Sequence, residues 1–337
     1  MIQYPVLIKG TTIGVTAPSS GVREEHHDMV KQACERLRKE GYDTIVGPTV
    51  WTQDKARSSP AHRRAAEWEN MMNDPKIGLI IPPWGGELLI EILEHLDFDR
   101  AQPKWILGYS DISLLLLAMT LRTGIATAHG TNLIDLRGEH SDETTAMWQT
   151  VLSAQRGQSV LQRSSSKFQK QWRHTSPSSY VFHLTEPTCW KSVSPGPVRL
   201  TGRLLGGCID VIRHLIGTPY GDVAGFQDRH IQGEPILWYL ENCELSVPDL
   251  RRSLVHMKLA GWFDRCCGIV FGRSSAPSET DGYTMRDVYA ELSEELGVPV
   301  VYDIDCGHVP PQITLINGAY AEITAENGSG TVLQHFV

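Results

Sequence analysis

Short apolar runs alternate with helix-length segments over the first half of the chain. Runs at 12–17, 44–47 and 77–81 have the pattern of buried strands, and the segments at 24–40 and 59–74 have the length and polarity of helices. Such alternation predicts a parallel sheet with helices on its faces, because parallel neighbours need a long crossover connection. The ligand crevice of an open parallel sheet lies beyond the carboxyl ends of its strands. We therefore expect an N-terminal parallel-sheet domain of flavodoxin- or Rossmann-like type, with its functional groups at that edge.

A serine stands at one of these strand ends. The tetrapeptide Gly108-Tyr109-Ser110-Asp111 closes the apolar run 105–107 and opens the apolar segment 112–121, which predicts a strand-to-helix turn. A serine in such a turn projects its hydroxyl away from the backbone, next to amides at a positive helix terminus. This arrangement presents a nucleophile. The alternative is that Ser110 only caps the helix, since serine is a favoured N-cap residue.

Two strand ends in the second half of the chain carry an acid and a base. Glu241 directly follows the apolar run 236–240, and His308 follows the run 298–302 after a short polar loop. A serine hydroxyl becomes a good nucleophile when an imidazole accepts its proton. A carboxylate on the other ring nitrogen fixes the tautomer and stabilises the imidazolium that forms. We predict that Ser110, His308 and Glu241 form a catalytic triad at the interface between two domains.

Oxyanion donors are predicted at the turn that follows the run 77–81. Glycines let backbone amides approach a ligand closely, so the pair Gly85-Gly86 has the composition of a donor turn. The amide of Asp111 lies beside the nucleophile and is the natural second donor. We expect the N–H groups of Gly86 and Asp111 to form the oxyanion hole. The alternative is a tight strand-to-helix turn with no catalytic role.

Two competing interpretations concern the acid and the fold. Glu244 lies three residues after Glu241 and can equally ionise, but Glu241 has the rigid position at the strand end. The order nucleophile, acid, base also occurs in α/β-hydrolases, which carry the motif G-x-S-x-G. Here Ile112 occupies the position of the second glycine, and a β-branched residue is unsuited to that sharp turn. An unrelated α/β-hydrolase is therefore disfavoured.

Six short motifs recur in the order typical of one known family. They are Gly108-Tyr109-Ser110-Asp111-Ile112, Trp84-Gly85-Gly86-Glu87, Gly202-Arg203-Leu204-Leu205-Gly206-Gly207, Gly217-Thr218-Pro219-Tyr220, Leu240-Glu241 and Asp305-Cys306-Gly307-His308. Together they resemble the LD-carboxypeptidase family of serine peptidases, which includes muramoyltetrapeptide carboxypeptidases and the MccF-like peptidases of microcin C self-immunity. The resemblance spans most of the chain, from residues 13–19 to 314–319. It implies a homodimeric serine carboxypeptidase or amidase that cleaves a C-terminal amide of a small peptide-like substrate, with Glu241 as the catalytic glutamate.

Departures from the family pattern leave the substrate open. The turn from Trp84 to Glu87 replaces the Arg-Gly-Gly-Tyr-Gly type of murein carboxypeptidases, and Cys208 stands where many members carry Asn. The substrate is either an L,D-peptide from murein or a peptidyl-nucleotide of the microcin C type. We expect Trp84, Glu87, Glu244 and Trp190 to contribute to substrate binding, because indoles stack on bases and carboxylates suit a free amine.

The chain is predicted to divide at a segment rich in serine and proline. Residues 1–155 form the N-terminal α/β domain, residues 156–197 a crossover, and residues 198–337 a C-terminal α/β domain with a β-rich core. Trp172 and Trp190 are interspersed with the turn residues of the crossover, whereas a purely flexible linker contains few aromatics. We expect an ordered crossover that packs on the second domain and lines the cleft.

Composition disfavours several other classes of protein. The net charge of -8 provides no basic face for nucleic acid, and neither a basic leader nor a run of about 18 apolar residues points to a membrane. The seven cysteines lack C-x-x-C spacing and no H-E-x-x-H occurs, so no disulfide, metal or other cofactor is predicted. A cytoplasmic protein is expected. The roles of His129 and Cys306 stay open, and a non-catalytic small-ligand binding protein on the same fold is the alternative function.

Overall fold

The computed structural model describes residues 1–173 and 176–337. In chain order the strands are β1 (Thr12–Val15), β2 (Asp43–Val46), β3 (Ile77–Ile80), β4 (Trp105–Gly108), β5 (Thr127–His129), β6 (Ser159–Arg163), β7 (Lys167–Phe168), β8 (Glu186–Pro187), β9 (Lys191–Ser192), β10 (Val198–Cys208), β11 (Ile236–Glu241), β12 (Cys266–Gly272), β13 (Glu279–Thr280), β14 (Tyr283–Thr284), β15 (Val300–Ile304), β16 (Leu315–Asn317), β17 (Tyr320–Glu326) and β18 (Ser329–His335). The α-helices are α1 (His27–Lys39), α2 (Ala61–Asn73), α3 (Ile112–Thr123), α4 (Glu143–Leu152), α5 (Ile209–Ile212), α6 (Val223–His230), α7 (Val247–Leu259) and α8 (Met285–Leu296). Short 3-10 helices lie at Glu24–His26, Pro48–Trp51, Leu89–His95, Phe98–Arg100, Leu133–Leu136 and Arg213–Leu215.

The first sheet has the strand order β16-β5-β4-β3-β1-β2. Strands β1 to β5 are parallel, as the alternating pattern predicts. Strands β4 and β5 are wholly buried, which is typical of strands covered on both faces. Strand β16 is antiparallel to β5. Residues 315–317 therefore complete the first sheet, although they fall in the range predicted for the C-terminal domain.

Helix α3 lies at the centre of the molecule. All its residues from Ile112 to Leu121 are buried, as expected for a helix that is apolar on every face. It begins directly after the Ser110 turn and ends at Gly124, whose φ of 71° forms a left-handed C-cap. Its Ser113 packs against Gly207 of β10, where a Cβ would come within 2.7 Å of the serine side chain. The helix that follows the nucleophile turn thus contacts both sheets.

The second sheet has the strand order β6-β18-β17-β10-β11-β12-β15-β9. Its central strands β10, β11, β12 and β15 are parallel, and the flanking pairs are antiparallel. Both edge strands, β6 and β9, come from the crossover 156–197, so its first and last parts pair with this sheet. The predicted two-domain α/β fold, with a parallel first sheet and a β-rich second part, is confirmed.

The two faces of β11 belong to different hydrophobic clusters. Ile236, Trp238 and Leu240 pack in one cluster with the helices and the first sheet, whereas Leu237 and Tyr239 pack in a second cluster on the opposite face. The large cluster is continuous from one sheet to the other, so the strand ends of both sheets are held in a fixed relation. No helix in the described ranges is long and apolar enough to cross a membrane.

Candidate active site

Ser110 lies in a left-handed turn between β4 and α3. Its φ is +65°, a conformation that few residues other than glycine adopt and that clusters at functional turns. Asp111, not Ser110, occupies the N-cap of α3, so capping does not explain the serine. A Cβ at Gly85 would come within 2.6 Å of Ser110 Oγ. Glycine at position 85 therefore leaves the room that the serine hydroxyl needs.

His308 links Ser110 to Glu241 across the interface between the sheets. His308 Nε2 lies 2.9 Å from Ser110 Oγ, and His308 Nδ1 lies 2.9 Å from Glu241 Oε2. In the tautomer that satisfies both contacts, the serine hydroxyl donates to Nε2 and Nδ1–H donates to the carboxylate. The Tyr109 ring lies edge-on against the imidazole, with centroids 5.1 Å apart. The structure thus brings the three predicted residues together in one chain of hydrogen bonds.

Glu241 is fully buried at the end of β11. The left-handed Gly307 lets the His308 loop approach it, because a Cβ at Gly307 would come within 2.5 Å of Glu241 Oε2. Burial alone would raise the pKa of Glu241, but the charge and hydrogen bond of His308 outweigh it and lower that pKa from its usual 4.5. Burial would lower the pKa of His308, but Glu241 and the Cys243 thiol raise it well above 6.5. Glu241 is therefore held ionised and makes His308 a stronger base.

The Gly85-Gly86 turn that carries one predicted oxyanion donor lies against the Ser110-Asp111 turn that carries the other. A Cβ at Gly85 would be 3.1 Å from Asp111 N, which shows how closely the two turns approach. Gly85 O accepts a hydrogen bond from Ser20 N at 3.3 Å, and because the peptide is planar the Gly86 N–H points the opposite way. Within residues 1–173 and 176–337, neither Gly86 N nor Asp111 N donates to another protein atom. Both amides are therefore free to donate to a ligand, and their role as an oxyanion hole stays a prediction.

A cavity of about 280 Å³ opens over Ser110 and His308. Two indoles, Trp84 and Trp172, line it. A second cavity of about 420 Å³ adjoins it at Trp84 and is lined mainly by residues of the segment 20–26 and by the Gly85-Gly86 turn. Ser110 and His308 therefore face a cleft that continues past Trp84.

The four predicted substrate-binding residues have different positions. Trp84 lines the cavity, whereas Glu87 and Glu244 do not line it and are largely exposed. The partial burial of Glu87 and repulsion from Glu244 raise the pKa of Glu87. Trp190 is only 3% exposed and packs in the core of the second sheet, where its Nε1 donates to Asp305 Oδ2 at 2.9 Å. A position in this core does not fit the substrate-binding role predicted for Trp190.

Several residues of the cavity were not assigned to the site from the sequence. Trp172 lies in the crossover, and its Nε1 donates to His308 O at 2.8 Å. Asn132 and the buried Asp135 also line the cavity, and burial raises the pKa of Asp135 to about 6. Their spacing is that of the capping box which they form on a 3-10 turn, so the sequence signal is structural. Cys243, two residues beyond Glu241, also lines the cavity and carries no recognisable motif.

The remaining histidine and cysteine candidates lie outside the cavity. His129 is fully buried, which lowers its pKa to about 4, and its Nδ1 lies 3.7 Å from Cys306 Sγ. Burial raises the pKa of Cys306 well above 9.0, so this thiol is not a reactive thiolate. In the described part of the chain, the one cluster with metal-ligand geometry is Cys208, Glu241 and His308, whose ligand atoms lie within 4.8 Å of one another. Because Glu241 and His308 already bond to each other, we assign no metal to this cluster.

Comparison with known families identifies the chain. Residues 13–130 match the LD-carboxypeptidase N-terminal domain, and residues 201–323 match the LD-carboxypeptidase C-terminal domain. The chain belongs to the LD-carboxypeptidase family. It is therefore a serine hydrolase, as the motifs predict, and the two matched regions carry Ser110 and Glu241 with His308 respectively.

Relatives in this family align over nearly the whole chain. A Vibrio cholerae protein named provisionally as a carboxypeptidase is 27% identical over 97% of this chain and 96% of its own length. The microcin C7 self-immunity protein MccF of Escherichia coli is 24% identical over 100% of this chain and 97% of its own length.

Solved structures share the fold from end to end. MccF in complex with aspartyl sulfamoyl adenosine has a TM-score of 0.77 at 22% identity, covering 100% of this chain and 99% of that chain. The muramoyltetrapeptide carboxypeptidase of Oxalobacter formigenes has a TM-score of 0.73 at 20% identity, covering 96% of this chain and 99% of that chain. The fold is therefore common to a microcin self-immunity protein and a muramoyltetrapeptide carboxypeptidase.

Proposed function

We propose that this protein is a serine carboxypeptidase or amidase that hydrolyses an amide at the carboxyl end of a small peptide-like substrate. The observation that carries the proposal is the chain of hydrogen bonds from Ser110 through His308 to Glu241, with 2.9 Å at each step. A nucleophile, a base and an orienting acid in this geometry are the parts that acyl transfer requires. They come from different strand ends, so their meeting is a property of the fold and not of one local motif.

Acylation begins when Ser110 Oγ attacks the carbonyl carbon and its proton passes to His308 Nε2. Glu241 stabilises the imidazolium that forms, and the amides of Gly86 and Asp111 donate to the oxyanion. The imidazolium then protonates the leaving amine as the carbon–nitrogen bond breaks. Water completes the cycle with His308 again as the base, releasing the acid and restoring the serine hydroxyl.

The cleft favours a substrate that carries an aromatic group. Trp84 and Trp172 line the cavity beside Ser110, and an indole stacks on a nucleobase with about 1 to 3 kcal/mol. The MccF protein of the same fold is named as a complex with aspartyl sulfamoyl adenosine. Of the two substrate classes, the peptidyl-nucleotide is therefore the better fit, and a murein L,D-tetrapeptide is the comparison.

Mass spectrometry of the purified protein with both compounds tests the proposal. We expect a peptidyl sulfamoyl adenosine to be cleaved at its amide by the wild type, and the Ser110→Ala variant to leave it intact. A fluorophosphonate probe should label the wild type at Ser110 and leave the variant unlabelled. A binding protein on the same fold would show neither cleavage nor labelling, and faster cleavage of the murein peptide would reverse the order of the two substrates.

A further inference from the structure

Asp111 carries a buried carboxylate that the proposed reaction does not use. The residue is 2% exposed, and its Oδ2 accepts two hydrogen bonds, from Ser19 Oγ at 2.5 Å and from Leu89 N at 2.9 Å. Burial raises the pKa of Asp111 to about 6, and these two hydrogen bonds oppose the increase. A carboxylate removed from water is costly unless polar partners compensate it. Both partners are therefore needed for this side chain to stay where it is.

Helix capping does not account for this carboxylate. Asp111 occupies the N-cap of α3, yet its side chain accepts no hydrogen bond from the first turn of that helix. Asp142 shows the usual arrangement, because it occupies the N-cap of α4 and its side chain accepts from Thr145 N. The Asp111 side chain instead reaches two segments that are distant from it in sequence.

The partners of Asp111 lie on both sides of the Gly85-Gly86 turn. Leu89 lies three residues beyond that turn, and the segment Ser19-Ser20 packs directly on it. A Cβ at Gly86 would come within 2.4 Å of both serine hydroxyl oxygens, and Ser20 N donates to Gly85 O. One carboxylate thus joins the nucleophile turn to both neighbours of the proposed donor turn.

Arg64 strengthens the same junction. Its fully buried guanidinium donates from Nη1 to Pro18 O at 2.8 Å and to Leu88 O at 2.9 Å. These carbonyls belong to the residues that directly precede the two partners of the Asp111 carboxylate. The positive charge of Arg64 also acts to hold Asp111 ionised. The segments 18–19 and 88–89 are therefore each held at two consecutive residues, one by Arg64 and the other by Asp111.

We propose that the Asp111 side chain is a positioning residue that fixes the Gly86 amide relative to the Asp111 amide, one residue from the nucleophile. This inference rests on the proposed function. Loss of one oxyanion donor costs about 10²- to 10³-fold in kcat, and a displacement of about 1 Å can cost roughly 10²-fold. The oxyanion forms after substrate binding, so the loss appears in kcat and leaves KM little changed.

Steady-state kinetics of four variants, each checked by thermal unfolding, test this role. We expect Asp111→Ala to lower kcat by about 10²- to 10³-fold and Ser19→Ala by about 10-fold, with KM within about twofold of the wild type. Asp111→Asn keeps an oxygen that accepts from Leu89 N, so it should recover roughly 10-fold of the activity that alanine loses. Asp142→Ala is the matched control, because it removes a buried carboxylate outside the cleft and should lower stability without lowering kcat.

The outcomes separate this inference from the proposed function. Wild-type kcat in folded Ser19→Ala and Asp111→Asn overturns the positioning role, and so does an equal loss of kcat in Asp142→Ala. If Asp111→Ala does not fold, the other two variants at this junction decide. A fully active Ser110→Ala protein removes the proposed function itself, whereas an inactive one beside fully active Asp111 variants removes only the positioning role.

Discussion

The hydrogen-bonded chain from Ser110 through His308 to Glu241 is built differently from the wall of the cleft. Ser110, Glu241 and His308 lie at or just beyond the ends of β4, β11 and β15, and steps of 2.9 Å join them. Trp84 and Trp172 lie in irregular segments, the turn after β3 and the crossover. Sheet ends hold side chains rigidly, whereas connecting segments accept changes in sequence and length. The residues that line the cleft can thus change while Ser110, His308 and Glu241 keep their geometry, and the same fold occurs in MccF and in a muramoyltetrapeptide carboxypeptidase.

The largest effect is expected at the reacting groups. Ser110→Ala and His308→Ala should each reduce kcat by roughly four to six orders of magnitude, and the double variant should be little worse, because triad members act as a unit. Single-turnover rates with the better substrate measure the loss. A Ser110→Ala protein that kept more than about a tenth of wild-type activity would exclude the serine mechanism, and additive losses would show that the two residues do not act together.

A smaller effect with a change in pH dependence is expected at the orienting acid. Glu241→Gln should lower kcat by roughly 10³- to 10⁴-fold, because the amide no longer stabilises the imidazolium. His308 acts as a base only when neutral, so kcat/KM rises as pH increases through the pKa of His308, which Glu241 raises above 6.5. Removing the negative charge of Glu241 should therefore move the rise in kcat/KM to lower pH. Plots of kcat/KM against pH for the wild type and Glu241→Gln measure this shift. If the rise in kcat/KM occurs at the same pH in both proteins, a group other than His308 controls it.

The contacts among Ser110, His308 and Glu241 could be predicted because each of these residues follows an apolar run of strand length. The sequence pattern before Ser110, Glu241 and His308 indicates where a buried strand stops, and functional groups of parallel sheets lie at that edge. Tertiary contact then brings the ends together. The hydrogen bonds of the Asp111 carboxylate could not be predicted, because its partners Ser19 and Leu89 are distant in sequence and belong to no motif.

Strand β10 shows why other parts could not be predicted. Its consecutive glycines, Gly206 and Gly207, do not have the residue pattern of a strand, since glycine weakens strand interiors. Gly206 nevertheless lies within the strand, opposite Tyr239 of β11, and a Cβ there would come within 1.7 Å of Tyr239 O. The glycine is required by a close approach between strands, which is a property of the folded sheet. Likewise, nothing in the sequence tells which tryptophan of the crossover enters the core and which lines the cleft.

The smallest predicted effect is selective and concerns the two indoles of the cleft. Trp84→Ala and Trp172→Ala should each raise KM for a peptidyl-nucleotide roughly 5- to 150-fold, the equivalent of about 1 to 3 kcal/mol of stacking. A murein tetrapeptide lacks the flat base, so its KM should change little. The ratio of the two KM values is the measurement, because a general loss of structure would affect both substrates.

Trp190 provides the matched control for this selectivity, since it is an indole of the same crossover that packs in the core. Trp190→Ala removes a buried ring and its hydrogen bond to Asp305, and it should lower the free energy of unfolding by about 3 to 5 kcal/mol. The ratio of KM values should stay that of the wild type in whatever fraction folds, because this indole does not line the cavity. A selective loss in Trp190→Ala, or an equal loss on both substrates in Trp84→Ala and Trp172→Ala, would show that the cleft wall does not choose the substrate by stacking.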